Sequence, residues 1–192
     1  MSDYAYIMGL FRSLESKLLN SNDIERMIGA PDIDAAFRVF NDTEYADNLL
    51  EVKPKEFKKA LSDDIKQTRD LFDQVISDQK ILDFLFLRYD FHNLKLLFKE
   101  KYTGRDLKEE ESQIGTIPSS SLRNLILNEA RVDLPEDLRE VIKLARTEFE
   151  KNHEPPFIDS YLDKKMFALL KKNAENLKSP FIIKFLAMQI DM

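Results

Sequence analysis

The sequence of 192 residues contains no cysteine and no tryptophan, and it has only four glycines. The lack of cysteine excludes a disulfide framework, a thiolate metal site and a thiol nucleophile. The glycines Gly9, Gly29, Gly104 and Gly115 are too far apart to build a phosphate-binding loop. A Walker A loop and a dinucleotide fingerprint are therefore excluded, because both need several backbone N–H groups that a ligand can approach without a Cβ in the way. Few glycines also argue against a β-rich fold.

A long apolar segment and a basic excess are missing as well. No stretch resembles the run of about 20 apolar residues that a membrane-spanning helix needs. The N-terminus lacks the basic and then apolar pattern of a signal peptide. The net charge of −6 argues against nonspecific binding of nucleic acid, which depends on a basic surface. We therefore expect a cytoplasmic protein with no nucleic-acid partner.

Apolar residues recur at helical spacing along almost the whole chain, which predicts an all-α protein. A clear example follows Pro54, where Phe57, Leu61 and Ile65 step by four residues and fall on one face of a predicted helix. The most apolar helix is predicted at about 81–102. Because this helix has little polar perimeter, we expect it at the centre of the fold.

Residues 103–118 form the first predicted break between helices. Gly104 is expected to end the central helix, and Glu109-Glu110-Glu111 is interpreted as a solvated charge run. Helical spacing resumes after the serines at 119–121, which are predicted to cap the next helix. Ser179 is predicted to cap a last helix, which is apolar nearly all round.

An internal repeat is predicted with an offset of 101 residues. At that offset the last helix aligns with the central helix, and Asp90 aligns with Asp191. The shared carboxylate carries more weight than the apolar matches, because apolar helical patterns match easily by chance. The aligned apolar pairs include Ile81 with Ile182, Phe84 with Phe185, and Leu85 with Leu186.

Two polar residues, Asp90 and Asn93, lie inside the central helix. They are three residues apart and therefore adjacent on one face. A carboxylate in so apolar a helix must find hydrogen-bond donors or be strongly unfavourable. We interpret the pair as structural, tying the helix to a neighbouring backbone or cap. No base or nucleophile beside Asp90 indicates catalysis.

A different arc of the same helix carries basic residues. Arg88, His92, Lys95 and Lys99 fall within a narrow sector at 100° per residue. The simplest interpretation is that these residues face solvent or pair with acidic neighbours.

Several short strings, in their order along the chain, are similar to one protein family. The most specific is Arg88-Tyr89-Asp90-Phe91-His92-Asn93-Leu94-Lys95. The supporting strings are Arg12-Ser13-Leu14-Glu15, Asp42-Thr43-Glu44-Tyr45, Ile114-Gly115-Thr116-Ile117-Pro118, Ile158-Asp159-Ser160-Tyr161-Leu162-Asp163, Ser179-Pro180-Phe181 and Ile190-Asp191. Together they resemble the C subunit of V-type and A-type rotary ATPases, whose eukaryotic counterpart is the d subunit. The structural motif residues are Arg12, Glu15, Thr43, Tyr45, Arg88, Asp90, Asn93, Asp159, Asp163 and Asp191.

This resemblance implies a fold of three related helical repeats arranged as a funnel. Repeat one would span residues 1–103 and repeat two residues 104–192, truncated at its end, with the third repeat absent. We therefore expect a truncated fragment. Its last helix lacks a covering repeat, so the fragment is expected to self-associate or to expose a large apolar patch.

The resemblance also implies a mechanical function. Such a subunit sits on the cytoplasmic side of the membrane rotor ring, receives the central stalk and passes torque between them. It is not catalytic, holds no cofactor or metal, and is peripheral to the membrane only through its partners. Within residues 164–184 the six lysines outnumber the single acid, so this cluster faces solvent or binds acidic partner loops or anionic lipid. The candidate partner-binding residues are Lys164, Lys165, Lys171 and Lys172.

Two other classes of protein compete with this interpretation. Helical metal sites often use Glu-x-x-His, and Glu150-Lys151-Asn152-His153 matches that spacing once. A dinuclear site needs a second copy, and the only other histidine, His92, has Tyr89 at the required place. The remaining alternative is a helical adaptor unrelated to rotary ATPases, which would not bind central-stalk subunits.

Overall fold

The computed structural model describes residues 2–49, 52–152 and 155–190. These residues form ten α-helices and three short 3₁₀ helices, and no β-strand occurs within the described ranges. The predicted all-α fold is therefore confirmed. The chain divides into two compact units, the first ending at Leu71 and the second beginning at Phe72, and each is described by itself.

The first unit is built from short helices whose ends are set by side chains. Asn20 accepts hydrogen bonds from the backbone N–H groups of Asn22 and Asp23, and the Asp23 carboxylate accepts one from the Asn20 backbone. This reciprocal capping box satisfies donors that the first helical turn leaves unpaired. The helices are α1 (Ser2–Glu15), α2 (Ser21–Ile28), α3 (Ile33–Arg38), α4 (Ala46–Leu49) and most of α5 (Phe57–Val75), with 3₁₀ helices at Val39–Asp42 and Pro54–Glu56.

The second unit is built around one long helix. This helix, α6 (Gln79–Thr103), packs against α7 and α9, and α9 in turn packs against α8 and α10. Its end is fixed by Gly104 at a φ of 69°, a left-handed conformation that glycine adopts without strain, as predicted. The other elements are a 3₁₀ helix at Lys108–Glu110, α7 (Ser119–Leu127), α8 (Glu136–Asn152), α9 (Pro155–Leu177) and α10 (Pro180–Ile190).

The predicted caps of the two later helices differ in outcome. The Ser179 hydroxyl accepts from the backbone N–H of Ile182, so Ser179 caps α10 as expected. The serines at 119–121 do not cap α7, because they lie inside its first turn and Pro118 occupies the cap position without a side-chain hydrogen bond. Consecutive serines obscure which residue precedes the helix, and the neighbouring proline decides the start.

The hydrophobic core follows α6, as its composition predicts. Phe91, Leu94, Leu97 and Phe98 on this helix are completely buried. They pack with buried residues of α7, α8 and α9, and the Phe149 ring of α8 stacks on Tyr102 with 3.5 Å between ring centroids. Because α6 is covered on several sides, its apolar residues are not confined to one face of the helix.

The α10 helix is apolar but largely uncovered. Leu186 is buried, and Ile182 and Gln189 are partly buried on the same inner face. The remaining large apolar side chains of α10 are exposed, namely Phe181, Ile183, Phe185, Met188 and Ile190. The expected exposed apolar surface is therefore present on the last helix.

Candidate functional site

The Asp90 side chain is buried in the middle of α6 and holds the segment that leads to α7. Its Oδ2 accepts hydrogen bonds from the backbone N–H (3.0 Å) and the hydroxyl of Thr116, and its Oδ1 accepts from the backbone N–H of Ile117 (3.0 Å). Each of these donors would cost about 1–3 kcal/mol if it were left unpaired in the interior. Asp90 therefore fastens Thr116 and Ile117 to α6.

Asn93 makes a second attachment one turn further along α6. Its Nδ2 donates to the Ser112 carbonyl and its Oδ1 accepts from the Ser112 backbone N–H, both at 2.8 Å. Asp90 and Asn93 are thus adjacent and bound to a neighbouring backbone, which is the arrangement that their spacing suggested. We define these two side chains together with residues 111–118 as the linker clasp.

Gly115 sits at the tightest point of the linker clasp. A Cβ at this position would clash with Oδ1 of Asp90, because it would lie closer than non-bonded atoms can approach. The absence of a side chain therefore lets the backbone reach the buried carboxylate.

An ion cluster closes the other end of the linker clasp. Arg123 of α7 donates to both carboxylate oxygens of Glu100, at 2.6 and 2.8 Å, and to Glu111 at 2.7 Å. The hydrogen bonds with Arg123 lower the pKa of Glu100, an effect larger than the opposing one of burial. The pKa of Arg123 is raised in turn, chiefly by its hydrogen bonds with Glu100.

Glu111 corrects the sequence interpretation of the acidic run. Glu109 and Glu110 are exposed, as expected of a solvated segment, but the Glu111 side chain is only 3% exposed. The prediction of a solvated run was wrong for this residue. Its burial is compensated by Arg123, twelve residues away, and the local pattern of three acids could not reveal that partner.

The basic stripe of α6 meets two acids of α9. Lys95 pairs with Asp163 at 2.8 Å, and Lys99 pairs with Asp159 at 2.7 Å. Both lysines therefore agree with one of the two interpretations of the stripe, namely that it pairs with acidic residues of a neighbouring element. These pairs are partly exposed, so each contributes at most about 1 kcal/mol to stability, and their main effect is to fix the register of α6 against α9.

Arg88 occupies the other end of the stripe, near α10. Its Nη2 donates to Oε1 of Gln189 at 2.7 Å, while its buried Nε has no hydrogen-bond acceptor in the described part of the chain. His92, one turn further along the stripe, has its Nε2 at 3.1 Å from the Glu110 carbonyl oxygen.

The lysine cluster of α9 lies mostly at the surface. Lys164 and Lys171 are exposed, Lys165 is partly buried with its Nζ 5.5 Å from the centroid of the Tyr161 ring, and Lys172 pairs with Asp137 at 2.7 Å. The exposed positions recur at seven and eight residues from Lys164, which places them on one side of the helix.

The motif residues of the first unit are local in their contacts. Arg12 and Glu15 form an exposed pair at 2.6 Å on α1. The Thr43 hydroxyl donates to the Phe40 carbonyl and accepts from the backbone N–H of Tyr45, which shapes the turn before α4. Burial raises the pKa of Tyr45, and the negative charge of Asp64 adds to that effect.

Two predicted residues lie outside the described ranges, namely Asp191, the counterpart of Asp90 in the proposed repeat, and His153 of the Glu-x-x-His match. Within residues 2–49, 52–152 and 155–190, no group of three or more His, Asp or Glu could hold a metal ion. In the same ranges no helix combines the length and apolar character that a membrane span requires.

Sequence reasoning missed the partners that complete the clasp. Ser112, Thr116 and the ion cluster of Glu100, Arg123 and Glu111 were not singled out as interacting residues. The sequence did contain one signal, the glycine at 115 followed by the threonine at 116. These two residues lie where the backbone approaches the buried carboxylate of Asp90. The ion cluster joins residues far apart in sequence, and its members carry no local pattern.

Comparison with known proteins identifies a family and two relatives. The family model described as ATP synthase (C/AC39) subunit matches residues 7–192. The C subunit of the V-type sodium ATPase of Enterococcus hirae is 24% identical over 190 residues, which cover 99% of this chain and 58% of that protein. The C subunit of the A-type ATP synthase of Methanocaldococcus jannaschii is 25% identical over 135 residues, which cover 65% of this chain and 34% of that protein. No solved structure matches the chain significantly.

The chain thus spans a little over half the length of the first of these relatives, and its match covers about a third of the second. The family match nevertheless covers nearly the whole chain, and it does not favour an adaptor unrelated to rotary ATPases. The chain belongs to the ATP synthase (C/AC39) subunit family, and the relatives that it matches are the V-type and A-type C subunits named above.

Proposed function

We propose that this chain acts as a non-catalytic subunit of a V-type or A-type rotary ATPase and links the membrane rotor ring to the central stalk. The family match over residues 7–192 carries this proposal. Ion transport driven by ATP, or ATP synthesis driven by ions, would be the activity of the whole complex. The transported ion is a proton or a sodium ion, and its site would lie in another subunit.

The second unit has the physical properties that a torque-transmitting part needs. The linker clasp binds α6 to the start of α7 through Asp90 and Asn93, and two ion pairs bind α6 to α9. Hydrogen bonds and ion pairs at several points along α6 resist both sliding and rotation of this helix against its neighbours. Such stiffness supports transmission of a load between two partners.

The partners would be central-stalk subunits on one side and the membrane rotor ring on the other. The chain would reach the cytoplasmic face of the membrane through these proteins. The exposed lysines of α9, Lys164 and Lys171 with the neighbouring Lys165 and Lys172, would contribute to contact with acidic partner loops or anionic lipid near the ring.

We also propose that the chain consists of two related helical repeats, 1–103 and 104–192. The alignment of the last helix with the central helix at an offset of 101 residues supports this proposal, and the aligned Arg88 and Gln189 are hydrogen-bonded to each other. The compact units divide at a different point, between Leu71 and Phe72, because α6 packs mainly on later helices. A repeat in sequence and a unit in packing need not coincide.

The test is binding of the purified chain to the central-stalk subunits of its ATPase, measured by calorimetry and by the mass of the complex. We expect a defined complex with the stalk subunits. An unrelated helical adaptor would form no complex at any concentration, and that result would overturn the proposal.

The role of the lysine cluster has a separate test. We expect Lys171→Glu/Lys172→Glu to reduce assembly of the chain into the holoenzyme. The matched control is Lys58→Glu/Lys66→Glu, which reverses two exposed charges on α5 in the other unit. Equal assembly of both variants would show that Lys171 and Lys172 do not contribute to assembly.

A further inference from the structure

A groove on the second unit lies between α6, α9 and α10, and several of its lining residues make the contacts described above. Its volume is about 520 Å³, within the range of cavities that accept ligands or partner side chains. One wall comes from α6 and carries Arg88, His92 and Lys95. The opposite wall comes from α9 and carries Met166, Phe167 and Leu170.

The two walls have different chemistry, and this difference restricts the occupant. A small inorganic anion would meet the basic wall and leave the three apolar side chains in water. A purely apolar ligand would cover the basic wall without satisfying it. A ligand that matches both walls carries a carboxylate on one side and apolar groups on the other.

Arg88 is the group in the groove that most needs a partner. Lys95 is already paired with Asp163, whereas Arg88 pairs with no carboxylate in the described part of the chain. Among the described residues, its hydrogen-bond partner is the Gln189 side chain, which accepts from Nη2, and its buried Nε has no acceptor there. A guanidinium offers donors in a planar fork that fits a carboxylate, so an incoming Asp or Glu would pair with the guanidinium charge that no carboxylate in the described part of the chain neutralises.

We propose that this groove binds an acidic amphipathic helix of a partner protein. A carboxylate of that helix would pair with Arg88, and apolar side chains one turn away would pack on Met166, Phe167 and Leu170. Helices that lie in grooves present apolar anchors at spacings of three and four residues, and an acid at the same spacing fits the basic wall. If the partner is a central-stalk subunit, the inference rests on the proposed function and locates one of its contacts.

The first arm of the test measures affinity of the chain for its central-stalk subunits by calorimetry. We expect Arg88→Glu to weaken binding by about tenfold or more, because a like charge replaces a desolvated pair. Arg105→Glu is the matched control, an exposed arginine beyond the end of α6, about 20 Å or more along the helix axis from Arg88. It should bind within about twofold of the unchanged chain. Equal weakening by both variants, or by neither, would overturn the inference.

The second arm does not depend on the stalk subunits. Because the chain has no cysteine, Ser112→Cys gives one fluorophore at the groove. The probes are two synthetic helical peptides with leucines at three- and four-residue spacing and one further position a turn away from a leucine, which is glutamate in one peptide and glutamine in the other. We expect the glutamate peptide to bind with higher affinity, and Arg88→Glu to abolish that preference.

The outcomes of the two arms separate the two proposals. Stalk binding that is unaffected by Arg88→Glu, or peptides that bind without preference, would overturn the groove inference and leave the proposed function standing. A chain that binds the glutamate peptide through Arg88 but no stalk subunit would support the groove inference and contradict the proposed function. Binding through Arg88 to phosphatidylglycerol vesicles in place of the peptide would assign the groove to lipid and overturn the choice of a protein partner. Circular dichroism melts of each variant check that the fold is retained.

Discussion

The helices α6 and α10 have similar sequences and very different surroundings. Offset by 101 residues, Phe84 aligns with Phe185, yet the Phe84 side chain is 1% exposed and that of Phe185 is 37% exposed. Helix α6 is enclosed by α7, α9 and the linker clasp, whereas α10 contacts the unit through one face. Apolar composition therefore identified two strong helices, but it did not determine how much of each would be covered.

The polar residues explain part of this difference. On α6, Asp90 and Asn93 bind the linker and Glu100 binds Arg123, so segments outside the helix are held against it. Among the described residues of α10, the polar link to another helix is the hydrogen bond from Arg88 to Gln189. The polar attachments of α6 therefore add to the apolar packing that covers it.

The most direct way to test this comparison is to truncate the aligned phenylalanines. We expect Phe84→Ala to lower the free energy of unfolding by about 3–5 kcal/mol, because it leaves a cavity in the core. Phe185→Ala should lower it by at most about 1.5 kcal/mol, since its ring already contacts water. Urea unfolding at low protein concentration measures both values. Similar losses would contradict the difference in burial.

The linker clasp gives the next largest expected effect. We expect Gly115→Ala to lower the free energy of unfolding by about 1–3 kcal/mol, because the new methyl group displaces Asp90 from its hydrogen bonds. Gly9→Ala is the control, because a Cβ there meets nothing within 4 Å. That change should be neutral or slightly stabilising, since it lies inside α1. If Gly115→Ala behaves as the control does, the clasp is not tight.

The exposed face of α10 makes a prediction about self-association. We expect the chain to associate weakly with itself, and Phe185→Ser/Met188→Ser to raise the dissociation constant by about tenfold or more, through loss of apolar area. Light scattering across a dilution series provides the measurement. A chain that is monomeric at all concentrations and binds no dye for apolar surfaces would show that this face does not drive association.

The ion cluster gives a smaller effect that depends on pH. The pKa of Glu100 is lower in the folded chain than its ordinary value of 4.5, so folding favours the ionised form. The stabilisation is complete above that ordinary value and is lost as the pH falls through the lower folded pKa. We expect Glu100→Gln to reduce the loss of stability at acid pH. Near neutral pH the substitution should lower the free energy of unfolding by about 1 kcal/mol.

The control for the ion cluster is Glu110→Gln. Glu110 is exposed and forms no ion pair within the described ranges, so this change should leave the loss of stability at acid pH unaltered. Denaturation by urea at several pH values, from about 3 to about 7, compares the variants across the range in which a carboxylate titrates. If the free energy of unfolding changes with pH in the same way for Glu100→Gln and for the unchanged chain, the stabilising role of the cluster is contradicted.

The sequence was sufficient for the features whose causes are local. Helical periodicity located α6, Gly104 marked its end, and the spacing of Asp90 and Asn93 indicated a polar attachment. The attachment's other half could not be predicted, because the partners of Asp90 are backbone N–H groups that every residue except proline carries. Glu111 and Arg123 illustrate the same limit, since a buried ion pair joins charges that separately look solvated.

The groove beside Arg88 required the structure as well. The sequence placed Arg88, Lys95 and Lys99 on one stripe and offered no means to distinguish them. Only the packing of α9 shows that the two lysines meet acids while the arginine, within the described residues, does not. A charge pattern on a single helix therefore predicts neither which charges are neutralised nor which remain available to a partner.

The central proposal, that this chain links the rotor ring to the stalk, has one direct test. Membrane-embedded ATPase is depleted of the chain and then reconstituted with it, while ATP hydrolysis and ion transport are measured together. We predict that depletion abolishes ATP-driven ion transport, leaves ATP hydrolysis by the catalytic subunits, and that adding the chain back restores transport. Transport that continues without the chain, at an unchanged ratio to hydrolysis, would contradict the proposal.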